Sequence, residues 1–248
     1  MDKFEKYLKD KYIDKEFTFE ELLEKLPYSK HKLYDKLNEL IKTNKIVKIA
    51  EGVYTLRKSE IIKTPEDISN LSDKLKTRIT RKFKFTGLCV LLPLVHHTPY
   101  SITYLIYVEK GSGEDFKELI SIIKPNMPIL LNPKINEILL ILNETNKNVI
   151  LTIRENNYFY GKEYGISYLD TAFVDLYFEV SRDKIPFMKS DLKEILKELI
   201  LKDSVNYSRL MRYAHERKLT HEIKDMLLEL SKIIEVPKAG LNVLQKIS

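Results

Sequence analysis

A chain of 248 residues with 44% apolar side chains has ample material for a packed core. Its few breaks, nine prolines and seven glycines, come without low-complexity runs or a fixed repeat, which excludes disordered, linker and solenoid readings. The net charge of +6 is modest, so where the charge lies matters more than its total.

The N-terminal stretch "MDKFEKYLKDKYIDKEF" is charged throughout and lacks the apolar centre of a leader peptide. Phe4, Tyr7 and Leu8 mark a first short helix there. In "FTFEELLEKL" Thr18 can cap a second helix, with Glu20 and Glu21 at the positive end of its dipole and Leu22, Leu23 and Leu26 turned inward; Pro27 ends it. Ser29 can cap a third helix, in which Leu33, Leu37, Leu40 and Ile41 follow the i, i+4, i+7, i+8 pattern of one buried face. Its opposite face carries His31, Lys32, Asp35, Asn38, Glu39 and Lys42, with Lys36 at the border.

"IVKIAEGVYTL", residues 46–56, alternates, reverses at Glu51 and Gly52 and alternates again, as a tight β-hairpin does. Helices followed by a hairpin are the order of a winged helix-turn-helix with the hairpin as its wing. In that module the third helix enters the major groove, where Lys32, Asp35 and Asn38 meet base edges. Lys30, Lys36, Lys42, Lys45 and Lys48 serve the phosphates, and Ser29 and His31 complete the candidate DNA-binding set. Between Tyr28 and Lys58 eight lysines and arginines face three carboxylates, which places much of the basic excess on this module. Asp35 and Glu39 repel phosphate unless they accept from cytosine amino groups.

Residues 61–84 read as a basic connection, ending in "KLKTRITRKFKF", which either tracks a DNA backbone or ties two domains together. The longest apolar run, Gly87 to Val95, is about half of the ~20 residues a membrane span needs, and Cys89 within it is the single cysteine. No membrane partner and no disulfide framework are expected, and a reducing cytoplasm is the fitting compartment.

Thr86 is expected to cap a short helix through Leu92. Strands then alternate with helices: "SITYLIYVE", "MPILL" and "NVILTIRE" as strands, "GEDFKELISIIK" and "NPKINEILLILNET" as helices, and "NYFYGKEYGISYL" as a hairpin leading into the helix "LDTAFVDLYFEVSRD". The last third is helical, with stripes at Leu192, Ile195, Leu196, Leu199 and Ile200, at Tyr207, Leu210, Met211 and Ala214, and at Ile223, Met226, Leu227 and Leu230. The expected architecture is α+β: a winged module over 1–60, the connection over 61–84, a mixed-sheet α/β domain over 85–187 and a helical region over 188–248. Arg209, Arg212, Arg217 and Lys218 form a second basic patch.

No catalytic residue, metal or cofactor is expected. His96 and His97 lack a metal-binding motif and read as loop residues; His215 and His221 read as surface residues. "EKGSGED" lacks the further residues of a phosphate-binding loop and reads as a turn before a helix. Asp175 and Glu179, one helical turn apart, are the pair a metal-dependent nuclease would need, and the alternative is a solvated helix face with Asp170 capping it.

Three segments resemble the type IV toxin–antitoxin antitoxins of the AbiEi class. "NKIVKIAEGVYTL" is similar to that family's wing, "KFTGLCVLLPL" to the small helix opening its second domain, and "GISYLDTAFVDLYFEV" to the helix that often reads "P-E-K-A-L-x-D", with Leu169-Asp170-Thr171 where Glu-Lys is common. The resemblance implies a winged module that binds inverted repeats in double-stranded DNA of its own promoter and represses it. It also implies a C-terminal part that counters a nucleotidyltransferase toxin, without a stable complex being required. Arg209, Arg212, Arg217 and Lys218 would then meet DNA or an acidic competitor. A winged-helix-targeted nuclease and a winged-helix interaction scaffold are the other two readings.

Overall fold

The computed structural model describes residues 2–96, 101–144 and 148–246. They form two compact units. The first joins residues 1–61 to 199–215 and 220–248; the second comprises 62–198 and 216–219.

The first unit opens with α1 (Lys3–Lys11), β1 (Glu16–Thr18), α2 (Phe19–Lys25), α3 (Lys30–Lys42), β2 (Ile46–Ala50) and β3 (Val53–Leu56). The three strands form an antiparallel sheet in the order β1-β3-β2, which is the winged-helix arrangement. Both expected caps are made: Thr18 Oγ1 accepts from the Glu21 N–H at 3.0 Å and Ser29 Oγ from the Lys32 N–H at 3.3 Å. The hairpin reverses at Gly52, whose φ of +69° suits a residue without Cβ. Leu22, Leu33, Leu37 and Leu40 pack with Phe4, Leu8, Phe17, Ile46 and Tyr54 as the core beneath α3. β1 was not foreseen; Phe17, paired with Tyr54 and stacked on its ring, turns three residues ahead of the capped helix into an edge strand.

The second unit runs through α4 (Glu66–Lys76), β4 (Phe83–Thr86), α5 (Leu88–Leu91), a 3₁₀ turn at Leu92–Leu94, β5 (Ile102–Glu109), α6 (Gly113–Ile123), β6 (Ile129–Leu131), α7 (Ile135–Glu144), β7 (Val149–Asn156), β8 (Tyr164–Ile166) and α8 (Leu169–Ser181). Five strands in the order β6-β7-β5-β4-β8 make one mixed sheet, antiparallel only between β4 and β5. The stretch read as a basic connection holds α4 and the first half of β4, with Ile68, Leu71 and Leu75 buried. The expected hairpin before α8 is instead a single short strand, β8, parallel to β4. Thr86 does not cap α5: it closes β4, and Gly87, at φ +67°, occupies the cap position.

Cys89 is fully buried in α5, its Sγ 3.1 Å from the Thr86 carbonyl, and burial pushes its thiol up to about 12. Alkylation of the native protein by iodoacetamide is therefore expected to stall until the second unit opens, and prompt labelling at neutral pH would contradict this packing.

α9 (Lys189–Leu201) contains the boundary at Glu198, and α10 (Tyr207–Glu216), α11 (Thr220–Leu230) and α12 (Lys238–Gln245) follow. The helical region expected over 188–248 is thus divided, and α10 to α12 fall almost wholly in the unit that holds the winged module. There Val47, Ile49 and Ala50 of β2 pack on Ala239 of α12. The Glu16 carboxylate accepts from the Ala239 N–H at 3.0 Å, placing an anion at the positive end of α12. At the hairpin tip the Glu51 N–H donates to Ser208 Oγ of α10 at 3.1 Å. β2 is therefore buried on both faces.

Candidate nucleic-acid interface

The face of α3 turned away from its leucines is open to solvent. Lys30, His31, Lys32, Tyr34, Asp35, Glu39 and Lys42 are exposed and Asn38 is half-buried. Tyr34, 56% exposed, is the one large apolar side chain there, and the sequence reading passed over it; its angular position at the border of the polar face was the available signal. Ser29 is exposed, and its hydroxyl caps the first turn of the helix. The Lys32 ammonium lies 5.5 Å from the Tyr28 ring centroid. His31 Nδ1 and Asp35 Oδ2 are 2.9 Å apart, an i, i+4 contact on the exposed face.

Three lysines assigned to phosphate have acidic partners. Lys36 Nζ meets Asp2 Oδ2 at 2.5 Å, which holds the Asp2 carboxyl below and the Lys36 ammonium above their usual ranges. Lys45 Nζ meets Glu5 Oε2 at 2.6 Å; Lys45, with Lys9, depresses the Glu5 carboxyl. Lys48 Nζ meets Glu51 Oε1 at 3.1 Å. The cationic face left to a polyanion is Lys30, Lys32 and Lys42.

The residues of the second basic patch fall in both units. Arg212 is exposed and Arg209 half-buried on α10 in the first unit, whereas Arg217 and Lys218 belong to the second. Arg217, with a side chain only 15% exposed, is held in the sheet unit: its Nη2 donates to Asp175 Oδ1 at 2.6 Å and its guanidinium covers the Phe178 ring at 4.6 Å.

That contact overturns the solvated-face reading of α8. Asp175 is fully buried and also accepts from Thr86 Oγ1 at 2.7 Å, with Lys84 Nζ, itself fully buried, at 3.3 Å. Glu179, 1% exposed, accepts from the Tyr107 hydroxyl at 3.0 Å and from Arg154 Nε at 3.3 Å. Burial lowers the Lys84 pKa, Asp175 opposes that shift, and Arg217 adds to it. The two carboxylates thus serve separate basic partners. Among the described residues no three His, Cys, Asp or Glu side chains are grouped to hold a metal. Asp170 is buried and its Oδ1 accepts from the adjacent Thr171 N–H, while Tyr168 occupies the cap position of α8.

His96 Nε2 lies 3.3 Å from Glu198 Oε1, and His97 lies outside the described residues. His215 and His221 are exposed. The Gly111 and Gly113 N–H groups of the glycine turn both donate to Glu155 Oε1 at 2.9 Å, so the start of α6 receives a carboxylate from its own chain. No helix among the described residues is long and apolar enough to cross a membrane.

A comparison with curated proteins finds no match. Residues 32–233, from the first turn of α3 through α11, match a family of unknown function, and the chain belongs to that family, DUF6577.

Proposed function

We propose that the protein is a DNA-binding transcriptional autorepressor, cytoplasmic and without catalysis, that reads inverted repeats in its own promoter through α3 and serves as the antitoxin to a nucleotidyltransferase toxin. The observation that carries the DNA-binding half is the winged-helix order with α3 presenting Lys30, Lys32, Asn38 and Lys42 on a solvent-open face. Support for the antitoxin half is the resemblance of the wing, of the segment around α5 and of α8 to the AbiEi class. The hairpin is engaged by α10 and α12, so base reading falls to α3 and phosphate contact to its two ends.

The test is a fluorescence-anisotropy titration of the full chain against its own upstream DNA and a scrambled duplex, at about 50 and about 200 mM salt. Tighter binding to the upstream duplex that persists at the higher salt is the expected result. Equal affinity for both duplexes, lost together as salt rises, would sink the repressor reading.

A further inference from the structure

A cavity of about 480 Å³ lies in the first unit between the β2–β3 hairpin and helices α10 and α12, on the face of β2 opposite the core of α3. Its size falls within the range of about 300–1,000 Å³ usual for small-molecule sites. We propose that it binds an amphipathic organic anion, a carboxylate carried on an apolar body.

Two helices build its walls with the same spacing. α10 contributes Ser208, Met211, Arg212 and His215, at i, i+3, i+4 and i+7. α12 and the residue after it contribute Ala239, Asn242, Val243 and Lys246, again at i, i+3, i+4 and i+7. Each row runs from a small residue through an apolar one to a base. The small ends sit on the hairpin, since Ser208 bonds the Glu51 N–H and Ala239 packs on Ala50. Seven residues of helix rise about 10 Å, so His215 and Lys246 lie about that far along their helices from Ser208 and Ala239, while Val243 also packs on the hairpin cluster.

The cavity lining is amphipathic: Ala50, Val53, Met211 and Val243 supply an apolar body, and Arg212, His215 and Lys246 add basic side chains to it. Glu51, the one acidic side chain lining it, is paired with Lys48. Among the described residues no carboxylate pairs with Arg212 or Lys246. Helix dipoles account for His215 and Lys246 at helix ends, but not for Arg212 in mid-helix, nor for the apolar rows beside it. A carboxylate head paired with Arg212 or Lys246 and an apolar tail against the apolar lining satisfies both halves.

The experiment is isothermal titration calorimetry of the full chain with sodium octanoate and sodium 3-phenylpropanoate. Neutral octanamide and sodium acetate stand for body and head alone. Saturable heat from at least one of the first two is expected, with octanamide weaker by about tenfold or more and acetate silent. Arg212→Gln, an exposed change, should weaken binding by about tenfold, and Val243→Trp, which fills the cavity, should abolish it, both with unchanged circular dichroism and melting. Silence of both carboxylates up to about 10 mM, equal binding of octanamide, or parental affinity in both variants would each overturn the proposal. The heat is read without DNA, so its outcome stands apart from the repressor reading.

Discussion

Asp175→Ala is expected to destabilise the second unit by about 3–5 kcal/mol, the cost of leaving a buried charge without its partner. Its carboxylate is the acceptor for fully buried Lys84, for Thr86 and for Arg217, so truncation strands an ammonium, a hydroxyl and a guanidinium together. The Lys84 pKa is already lowered by burial, and Asp175 is what opposes the shift. The unfolded chain therefore binds more protons than the folded one between the lowered value and the ordinary lysine value of about 10.4, so stability rises with pH across that interval. Without Asp175 the interval extends downward and the rise begins at lower pH.

Cys89 provides a local readout, because its alkylation reports opening of this unit alone. Faster labelling in Asp175→Ala than in the parent protein, compared at one fixed pH, is the expected pattern. Lys84→Met combined with Asp175→Leu should recover part of the loss by substituting apolar packing for the pair. A loss below about 1 kcal/mol for Asp175→Ala would mean that the carboxylate is solvated, as surface pairs are.

The second large effect concerns α3. Lys32→Ala and Asn38→Ala should each cost about 1–3 kcal/mol on the upstream duplex and leave random DNA almost unaffected, as loss of a base contact does. Lys30→Ala and Lys42→Ala should weaken both duplexes alike and each lower the salt slope by about one. Lys45→Ala should move that slope less than Lys42→Ala, because Lys45 is bridged to Glu5. The measurement is the anisotropy titration repeated at several salt concentrations. Uniform losses on specific and random DNA in Lys32→Ala and Asn38→Ala would show that α3 is not the reader.

Local pattern carried the sequence reading wherever neighbours in sequence are neighbours in space. The capped helices α2 and α3, the Glu51-Gly52 reversal and the strands β5 and β7 were legible from periodicity and turn residues. Failures came where a distant partner decides. Asp175 and Glu179 look like one polar helix face until Lys84, Arg154 and Arg217 arrive from elsewhere in the chain. β8 has too few residues to declare itself without β4 beside it. The polar face of α3 was readable, but the neutralisation of Lys36 and Lys45 by α1 and its N-cap residue was not, because Asp2 and Glu5 lie 34 and 40 residues away. The cavity behind the hairpin was invisible for the same reason: of its two walls, α10 shows in sequence only as a core stripe and α12 holds none of the stripes read from the sequence.

The burial of β2 on both faces bears on the order in which the chain can become structured. One covering helix, α12, arrives near residue 240, while the second unit is assembled almost entirely from the continuous stretch 62–198. During synthesis the sheet can close while the apolar side of the hairpin, Val47, Ile49 and Ala50, still waits for a lid. A nascent or truncated chain ending before α12 would carry a finished sheet and a winged module with one face of β2 uncovered, so the first unit matures last.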